Sequence, residues 1–175
     1  MERKILKTAI LILSIVLVLL CGTTFALMYR QTQSVNNQLE AAYVACTVEE
    51  IFNGQTKTKI AVKNTGNIDA YLRLRLVSYW VDGDGNIVSK PSQMPAVTVA
   101  DGWVVGSDNT YYYSKPIAPD AATPNLLSGS ITLVEKDGCL QVVEVFADAI
   151  QSKPEEAVTG SWRVAITAGQ ITSAP

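Results

Sequence analysis

The stretch Ala70-Tyr-Leu-Arg-Leu-Arg-Leu-Val-Ser-Tyr-Trp-Val81 decides the fold class, because apolar and polar side chains alternate along it. Successive side chains of a strand point to opposite faces, so its leucines share one face and its two arginines share the other. One face is therefore apolar and the other charged. The stretch is predicted to be an amphipathic β-strand with its leucines in a core.

Turn signals lie on both sides of this strand. Asn64-Thr-Gly-Asn67 precedes it, and Asp82-Gly-Asp-Gly-Asn86 follows it with the residues that favour a hairpin turn. The same alternation and turn chemistry predict further strands at 43–49, 57–63, 87–89, 103–105, 110–114, 131–135 and 139–149. The last of these is almost continuously apolar and is expected to be central in its sheet.

Only residues 154–164 suggest a helical turn, with Pro154 at its start and Glu155 and Glu156 near its positive end. Short strands separated by turns predict an all-β protein, an antiparallel β-sandwich and most simply a jelly roll. We assign this domain to residues 41–175.

An uncharged, proline-free segment at residues 9–29 precedes the domain and follows three basic residues, Arg3, Lys4 and Lys7. This order is typical of an export signal over residues 1–26, with cleavage between Ala26 and Leu27. Residues 27–40 would then be a flexible N-terminal arm. The segment is also long enough to be an uncleaved transmembrane signal anchor. Either alternative places the domain outside the cytoplasm.

Composition and charge exclude several classes of function. Beyond residue 26 the chain has 11 basic and 15 acidic side chains, so we expect no nucleic-acid partner. It has no histidine, which removes His-based triads and imidazole zinc sites. No phosphate-binding glycine motif occurs. We therefore predict a protein that is not an enzyme and has no catalytic residues, no cofactor and no metal site.

The turn Asp82-x-Asp84-x-Asn86 has the oxygen spacing of the start of a calcium loop. An EF-hand loop needs glycine at its sixth position and a carboxylate at its twelfth, where this chain has Ile87 and Gln93. A plain hairpin turn is the favoured interpretation.

Cys46 and Cys139 are the only cysteines beyond the signal segment, and both fall in predicted strands of an exported domain. A disulfide between them is one interpretation, because such bonds persist outside the cytoplasm. Two separate buried thiols, each packing as a small apolar side chain, are the other.

An aromatic group, Trp103 with Tyr111, Tyr112 and Tyr113, has two interpretations. Exposed rings could stack on sugar rings and form a glycan-binding platform. Tyrosines in a β-rich domain also commonly alternate between core and surface as ordinary strand residues.

Several blocks together resemble the TasA/camelysin family of exported surface and biofilm-matrix proteins of Gram-positive bacteria. They are Gly22-Thr-Thr-Phe-Ala26, Thr32-Gln-Ser-Val-Asn-Asn37, Val62-Lys-Asn-Thr-Gly-Asn-Ile-Asp-Ala-Tyr-Leu-Arg73 and Trp80-Val-Asp-Gly-Asp-Gly-Asn86. The resemblance extends through Trp103, residues 111–116 and residues 140–151.

This resemblance implies a jelly roll exported through an endoplasmic-reticulum-type signal peptidase, with cleavage after Ala26. It also implies fibres in which an N-terminal strand is donated to the next subunit. The matching arm carries Leu27, Met28, Tyr29, Val35 and Leu39. Camelysin's metalloprotease activity is not carried over, because no metal-ligand motif is present here.

These observations favour a non-enzymatic structural protein of the cell surface or biofilm matrix. Its expected partners are other copies of itself or related matrix subunits, the signal peptidase during export, and the membrane if the signal is not cleaved. The alternative is a membrane-anchored extracellular domain that binds a glycan or a protein.

Overall fold

A computed structural model describes residues 2–31, 41–107 and 109–175 of the chain. The chain divides into two compact units, Met1–Glu40 and Ala41–Pro175. In the first unit, helix α1 spans Glu2–Gln31. Its segment Arg3–Cys21 has a mean hydropathy of 2.5 and is long and apolar enough to cross a membrane, by length and composition alone. A cleavable signal sequence can have the same length and hydropathy.

Helix α1 continues through the predicted cleavage site. Residues 27–31, expected to belong to a flexible arm, are helical and extend α1 past the Ala26–Leu27 bond. No glycine or proline occurs between Thr23 and Gln31, so nothing in the sequence ends the helix there. Val35 and Leu39 of the predicted arm lie outside the described residues.

The second unit is mostly β, as the alternation predicts. Its one described helix is α2 (Glu155–Trp162). Its described strands are β1 (Cys46–Phe52), β2 (Thr56–Asn64), β3 (Ala70–Val81), β4 (Ile87–Val88), β5 (Trp103–Val105), β6 (Thr110–Tyr113), β7 (Ile131–Thr132), β8 (Glu135–Lys136), β9 (Cys139–Gln151), β10 (Ala165–Thr167) and β11 (Gln170–Ser173).

Strand β3, the stretch that decides the fold class, organises the larger sheet. It pairs with β9 over its whole length, from Ala70 opposite Gln151 to Val81 opposite Leu140. The strand order is β5-β6-β3-β9-β8, with β4 also paired to the end of β3. A second sheet has the order β1-β2-β7, and β10 and β11 form a separate hairpin. All of these pairings are antiparallel, which confirms the predicted sheet type.

The main core is built from one face of each large sheet. Leu72, Leu74 and Leu76 of β3 pack in the same buried cluster as Ile60 and Val62 of β2. All five are essentially inaccessible to solvent. Full burial of one such side chain contributes about 1.5–3 kcal/mol, so this face of β3 is a principal source of stability.

A smaller core lies on the opposite face of β3. Tyr71 of β3 and Tyr112 of β6 pack with Val158 and Trp162 of α2. The helix follows Pro154 and has acidic residues in its first turn, as predicted. It ends at Arg163, whose left-handed backbone (φ 55°) stops the helical repeat. Helix α2 therefore covers only one end of this face of the sheet.

Strands β7 and β8 connect the two sheets. β7 pairs with β2, and β8, which starts three residues after β7 ends, pairs with β9. Between them, the Leu133 N–H donates to the Gln55 carbonyl, and the Gln141 N–H donates to the Val134 carbonyl. The chain thus changes sheets at a corner, and β9 leaves that corner at Gln141.

Candidate functional site

The free edge of β9 is the first feature that could bind another chain. The prediction that this strand is central is wrong beyond its first residues, because β8 pairs only with Cys139 and Leu140. Beyond Gln141, whose N–H bonds to the Val134 carbonyl, strand pairing is with β3 alone among the described residues. A continuous apolar run looks the same in a central strand and in an edge strand, so the sequence could not reveal this.

Hydrogen bonds at the two ends of β9 show in which direction its backbone N–H and C=O groups point. The Gln141 N–H donates away from β3, to Val134, and the Ser152 N–H donates toward β3, to Asp69, each at 2.9 Å. Backbone groups alternate along a strand, so odd-numbered residues 143–149 direct N–H and C=O away from β3. Within the described parts of the chain, these groups have no hydrogen-bond partner. They are free to pair with an added strand.

Strand β1 is the facing edge in the other sheet. It pairs only with β2 among the described strands, and a groove of about 430 Å³ lies between its free edge and that of β9. Val48 and Glu50 line the groove from β1, and residues 142–145 line it from β9. We call this groove, with the two strand edges that border it, the β1–β9 seam.

A partly buried ion pair, Lys57 with Glu50, lies in the β1–β9 seam, and sequence reasoning missed it. The Lys57 side chain is 6% exposed, its Nζ donates to Glu50 Oε2 at 2.6 Å, and it lies 4.7 Å from the Phe52 ring centroid. Lysine at an alternating position predicts an outward side chain, as for Lys59, which pairs with Glu49 at 2.9 Å. The seam therefore combines apolar walls with the Lys57–Glu50 ion pair and the Glu144 carboxylate.

The segment that leads into β1 is held by the turn at residues 64–67, an arrangement that we call the N-terminal clamp. Asn67 Oδ1 accepts from the Tyr43 N–H at 2.8 Å, and Asn67 Nδ2 donates to the Ala41 carbonyl at 3.0 Å. The Gly66 N–H donates to the Ala45 carbonyl at 3.1 Å. A Cβ at residue 66 would lie 2.6 Å from the Tyr43 carbonyl oxygen, so glycine is required there.

The aromatic group does not form an exposed platform. Trp103 and Tyr111 are buried in the main core, and Tyr112 is buried in the smaller core against Trp162. Tyr113 is half-buried, with its ring edge-on to Trp103. The alternation along β6 sends these rings to two different cores. The interpretation as strand residues therefore holds, and the glycan platform is incorrect.

Both cysteines are free thiols, so the structure has the second of the two predicted arrangements. Cys46 lies close enough to Asp148 for that carboxylate to affect it. Cys139 is nine residues from Asp148 along β9, or about 30 Å at 3.3 Å per residue. A disulfide needs Cα atoms within about 7 Å, so the two thiols cannot form one within this domain. Each is half-buried, not fully buried as expected.

Polar groups of the turn at residues 82–86 form hydrogen bonds within the turn. Asp82 Oδ1 accepts from the N–H groups of Asp84 and Asn86, at 3.0 and 2.9 Å. The hydrogen bonds from Asn86 are the main cause of a lowered Asp82 pKa. The residues that the structure describes contain no group of three or more metal-ligating side chains. This turn is built as a hairpin loop.

Family models, curated proteins and solved structures were each compared with this chain, and none matches it. The candidate functional site that the chain's own residues form is the β1–β9 seam.

Proposed function

We propose that this protein is an exported, non-enzymatic structural subunit of the cell surface or extracellular matrix. Copies would assemble by adding the N-terminal strand of one subunit to the open β9 edge of the next. The observation that carries the proposal is the row of backbone groups at residues 143–149 that have no hydrogen-bond partner among the described residues. Such an edge is a ready template for strand addition.

The β9 edge lacks the features that usually prevent such pairing. Its free part contains no proline or lysine, and its register with β3 continues without a bulge. Protected edges commonly carry one of these devices. Its inward side chains, Val145, Ala147 and Ala149, pack against the main core while remaining partly exposed. A strand added at the seam would bury them further.

Residues 27–40 have a suitable pattern for the added strand. If they are extended, Leu27, Tyr29, Val35 and Leu39 fall on one face. Arg30 falls on the opposite face, and β9 carries acidic side chains on its outward face. This role requires release of the segment from helix α1, which cleavage after Ala26 would provide.

The jelly-roll form of the sandwich is part of this proposal. It is supported by the two antiparallel sheets that share one core and by the change of sheet between β7 and β8. The β1–β9 seam lies on the side where these sheets are not joined by hydrogen bonds.

A second candidate is a subunit that stays anchored through α1, because the helix runs unbroken past the predicted cleavage bond. The domain would then act at the membrane surface as a binding module for a protein or glycan. The buried aromatic group gives no support for sugar stacking, so this candidate depends on the anchor alone.

The test of strand addition uses a change confined to the free edge. Ala147→Pro removes an N–H that points away from β3, and proline is tolerated at such edge positions. Ala147→Ser keeps the N–H and is the matched control. Chains are expressed in the native host, and extracellular fibres are counted by electron microscopy. We expect fibres from the wild type and the Ser variant and a strong loss from the Pro variant. Equal fibre formation by a folded Pro variant would refute addition at this edge.

A further inference from the structure

We propose that the uncovered outer face of the β3–β9 ribbon is an interface between two copies of this chain. We call it the bare face. It carries apolar side chains and two charges: Arg75, Val77, Tyr79, Leu140, Glu144 and Phe146. This interface uses side chains on a sheet face, whereas strand addition uses the backbone groups of the β9 edge; Glu144 lies at the border of the two surfaces.

The same sheet is covered at one end and uncovered at the other. Toward the start of β3, helix α2 and the β10–β11 hairpin bury Tyr71 and Tyr112. Farther along the ribbon, Val77, Leu140 and Phe146 are 37%, 52% and 44% exposed. No described residue covers them. Val77 and Phe146 are diagonal neighbours in the register, and Leu140 lies on the same face about 20 Å from Phe146 along β9. Large apolar side chains exposed on one face indicate a surface that another molecule occupies.

The charges on the bare face point to a second copy as that molecule. In the register, Arg75 lies opposite Phe146 and Val77 lies opposite Glu144, so the two charges are diagonal neighbours. Neither charge is in an ion pair with another described residue. By contrast, Arg73, two residues before Arg75 on the same face of β3, pairs with Asp148 of β9 at 3.0 Å.

Two-fold symmetry would pair both charges at once. In a symmetric dimer, residue i of one copy meets residue j of the other and the reverse contact also forms. Arg75 of each copy can then face Glu144 of the other, with Val77 and Phe146 packed beside the two ion pairs. A face with one cation and one anion has no net attraction for an anionic lipid surface. Self-complementarity therefore favours a second copy over a membrane.

The size of the bare face predicts a weak dimer. It extends along seven residues of β9 (140–146), about 23 Å, and across the two strands of the ribbon, about 10 Å. This is smaller than the roughly 800 Å² per partner of a stable interface, so the dissociation constant should be micromolar or weaker. Subunits held in a membrane or a fibre would reach the local concentrations that such an affinity needs.

The test is a charge-reversal experiment on the full chain in mild detergent, with sedimentation measured over a wide concentration range. Arg75→Glu and Glu144→Arg each place like charges across the two-fold axis, and we expect each to weaken self-association by about tenfold or more. An equimolar mixture of the two variants should restore it, because every cross-contact is then between opposite charges. Lys115→Glu, at an exposed lysine outside the bare face, is the control and should change nothing.

Association through α1 alone would not respond to these reversals, so unchanged dissociation constants in both variants would overturn the proposal. A wild-type chain that stays monomeric at every concentration would also overturn it. If Phe146 of such a monomer were protected from oxidative footprinting in membranes, lipid or a different protein would occupy the face instead. Rescue in the mixture is the decisive positive result, since misfolded variants cannot rescue each other.

Discussion

Asn67 holds Tyr43 by both of its backbone groups: Oδ1 accepts from the Tyr43 N–H at 2.8 Å, and the Asn67 N–H donates to the Tyr43 carbonyl at 3.2 Å. Strand-like pairing of this kind fixes the path of the chain just before β1 begins. The N-terminal clamp therefore holds residues 41–45 against the turn at residues 64–67.

Gly66→Ala is expected to displace the clamped segment, because the new Cβ would lie 2.6 Å from the Tyr43 carbonyl oxygen. We expect a loss of about 1–3 kcal/mol in the free energy of unfolding, together with faster amide exchange at residues 41–45. Denaturant titration and hydrogen-exchange mass spectrometry measure the two effects. Gly83→Ala is the control, since a Cβ at Gly83 meets no atom within 4 Å. Equal exchange in both variants would contradict the clamp.

Trp162→Ala should destabilise the domain by about 3–5 kcal/mol, because it leaves a cavity in the smaller core. The Trp162 ring packs against Tyr112 at 5.7 Å between centroids and lies 4.8 Å from the Arg73 guanidinium. Urea unfolding followed by circular dichroism gives the change. The neighbouring exposed residue supplies the control, Ser161→Ala, which we expect to be near neutral. A small effect of Trp162→Ala would mean that α2 contributes little to the fold.

Glu50→Ala should destabilise the protein by more than Lys57→Met does. Removing Glu50 leaves the buried Lys57 ammonium without its 2.6 Å partner, whereas Lys57→Met replaces the cation with an apolar side chain of similar length. Because Glu50 is partly exposed, we expect Glu50→Ala to lower the free energy of unfolding by only about 1–3 kcal/mol. Thermal and urea unfolding of the two variants provide the comparison. The reverse order would show that the ammonium is solvated in the native state.

The protein should lose stability as the pH rises above about 9–10. Burial is the largest cause of raised pKa values at Cys46, Tyr71, Tyr79 and Tyr111. An acid with a raised folded-state pKa stays neutral in the native state after its unfolded form has ionised. Its contribution is full below the unfolded pKa and is lost as the pH rises through the folded pKa.

Urea midpoints measured from pH 8 to 11 check this slope. Tyr111→Phe should make the alkaline decline shallower, because the buried ring is kept and its titrating hydroxyl is removed. Tyr43→Phe, at an exposed tyrosine, is the comparison variant. If the urea midpoint of Tyr111→Phe declines with pH as steeply as that of the wild type, burial of the Tyr111 hydroxyl does not cause the alkaline loss of stability.

Ala26→Leu should hold the chain in the membrane fraction of its native host. Signal peptidases accept only small residues before the cut, and leucine also continues the apolar helix. Mass and N-terminal sequence, determined separately for medium and membranes, give the result. We expect wild-type protein starting at Leu27 in the medium and intact variant in membranes. Intact wild-type protein in membranes alone would instead identify α1 as a permanent anchor.

The local features of this protein can be predicted from neighbouring residues in its sequence. Alternation at residues 70–81 predicted β3, the turn residues at 82–86 predicted its hairpin with β4, and Pro154 with the acidic residues after it predicted α2. These features depend on neighbours within a few residues, so the sequence alone contains the information. The N-terminal apolar segment was likewise evident from its composition, although its helix extends farther than expected.

Which strand lies beside which depends on contacts between residues far apart in the chain. Most of β9 is a sheet edge because β8 pairs only with its first two residues. Lys57 is buried because β1 and β9 enclose it, and Cys46 of β1 lies near Asp148, at the opposite end of β9 from Cys139. Likewise, Tyr111 and Tyr112 enter different cores because α2 covers one face of the sheet. Such relationships join residues distant in sequence, and an apolar run carries the same pattern whether its free edge is paired or open.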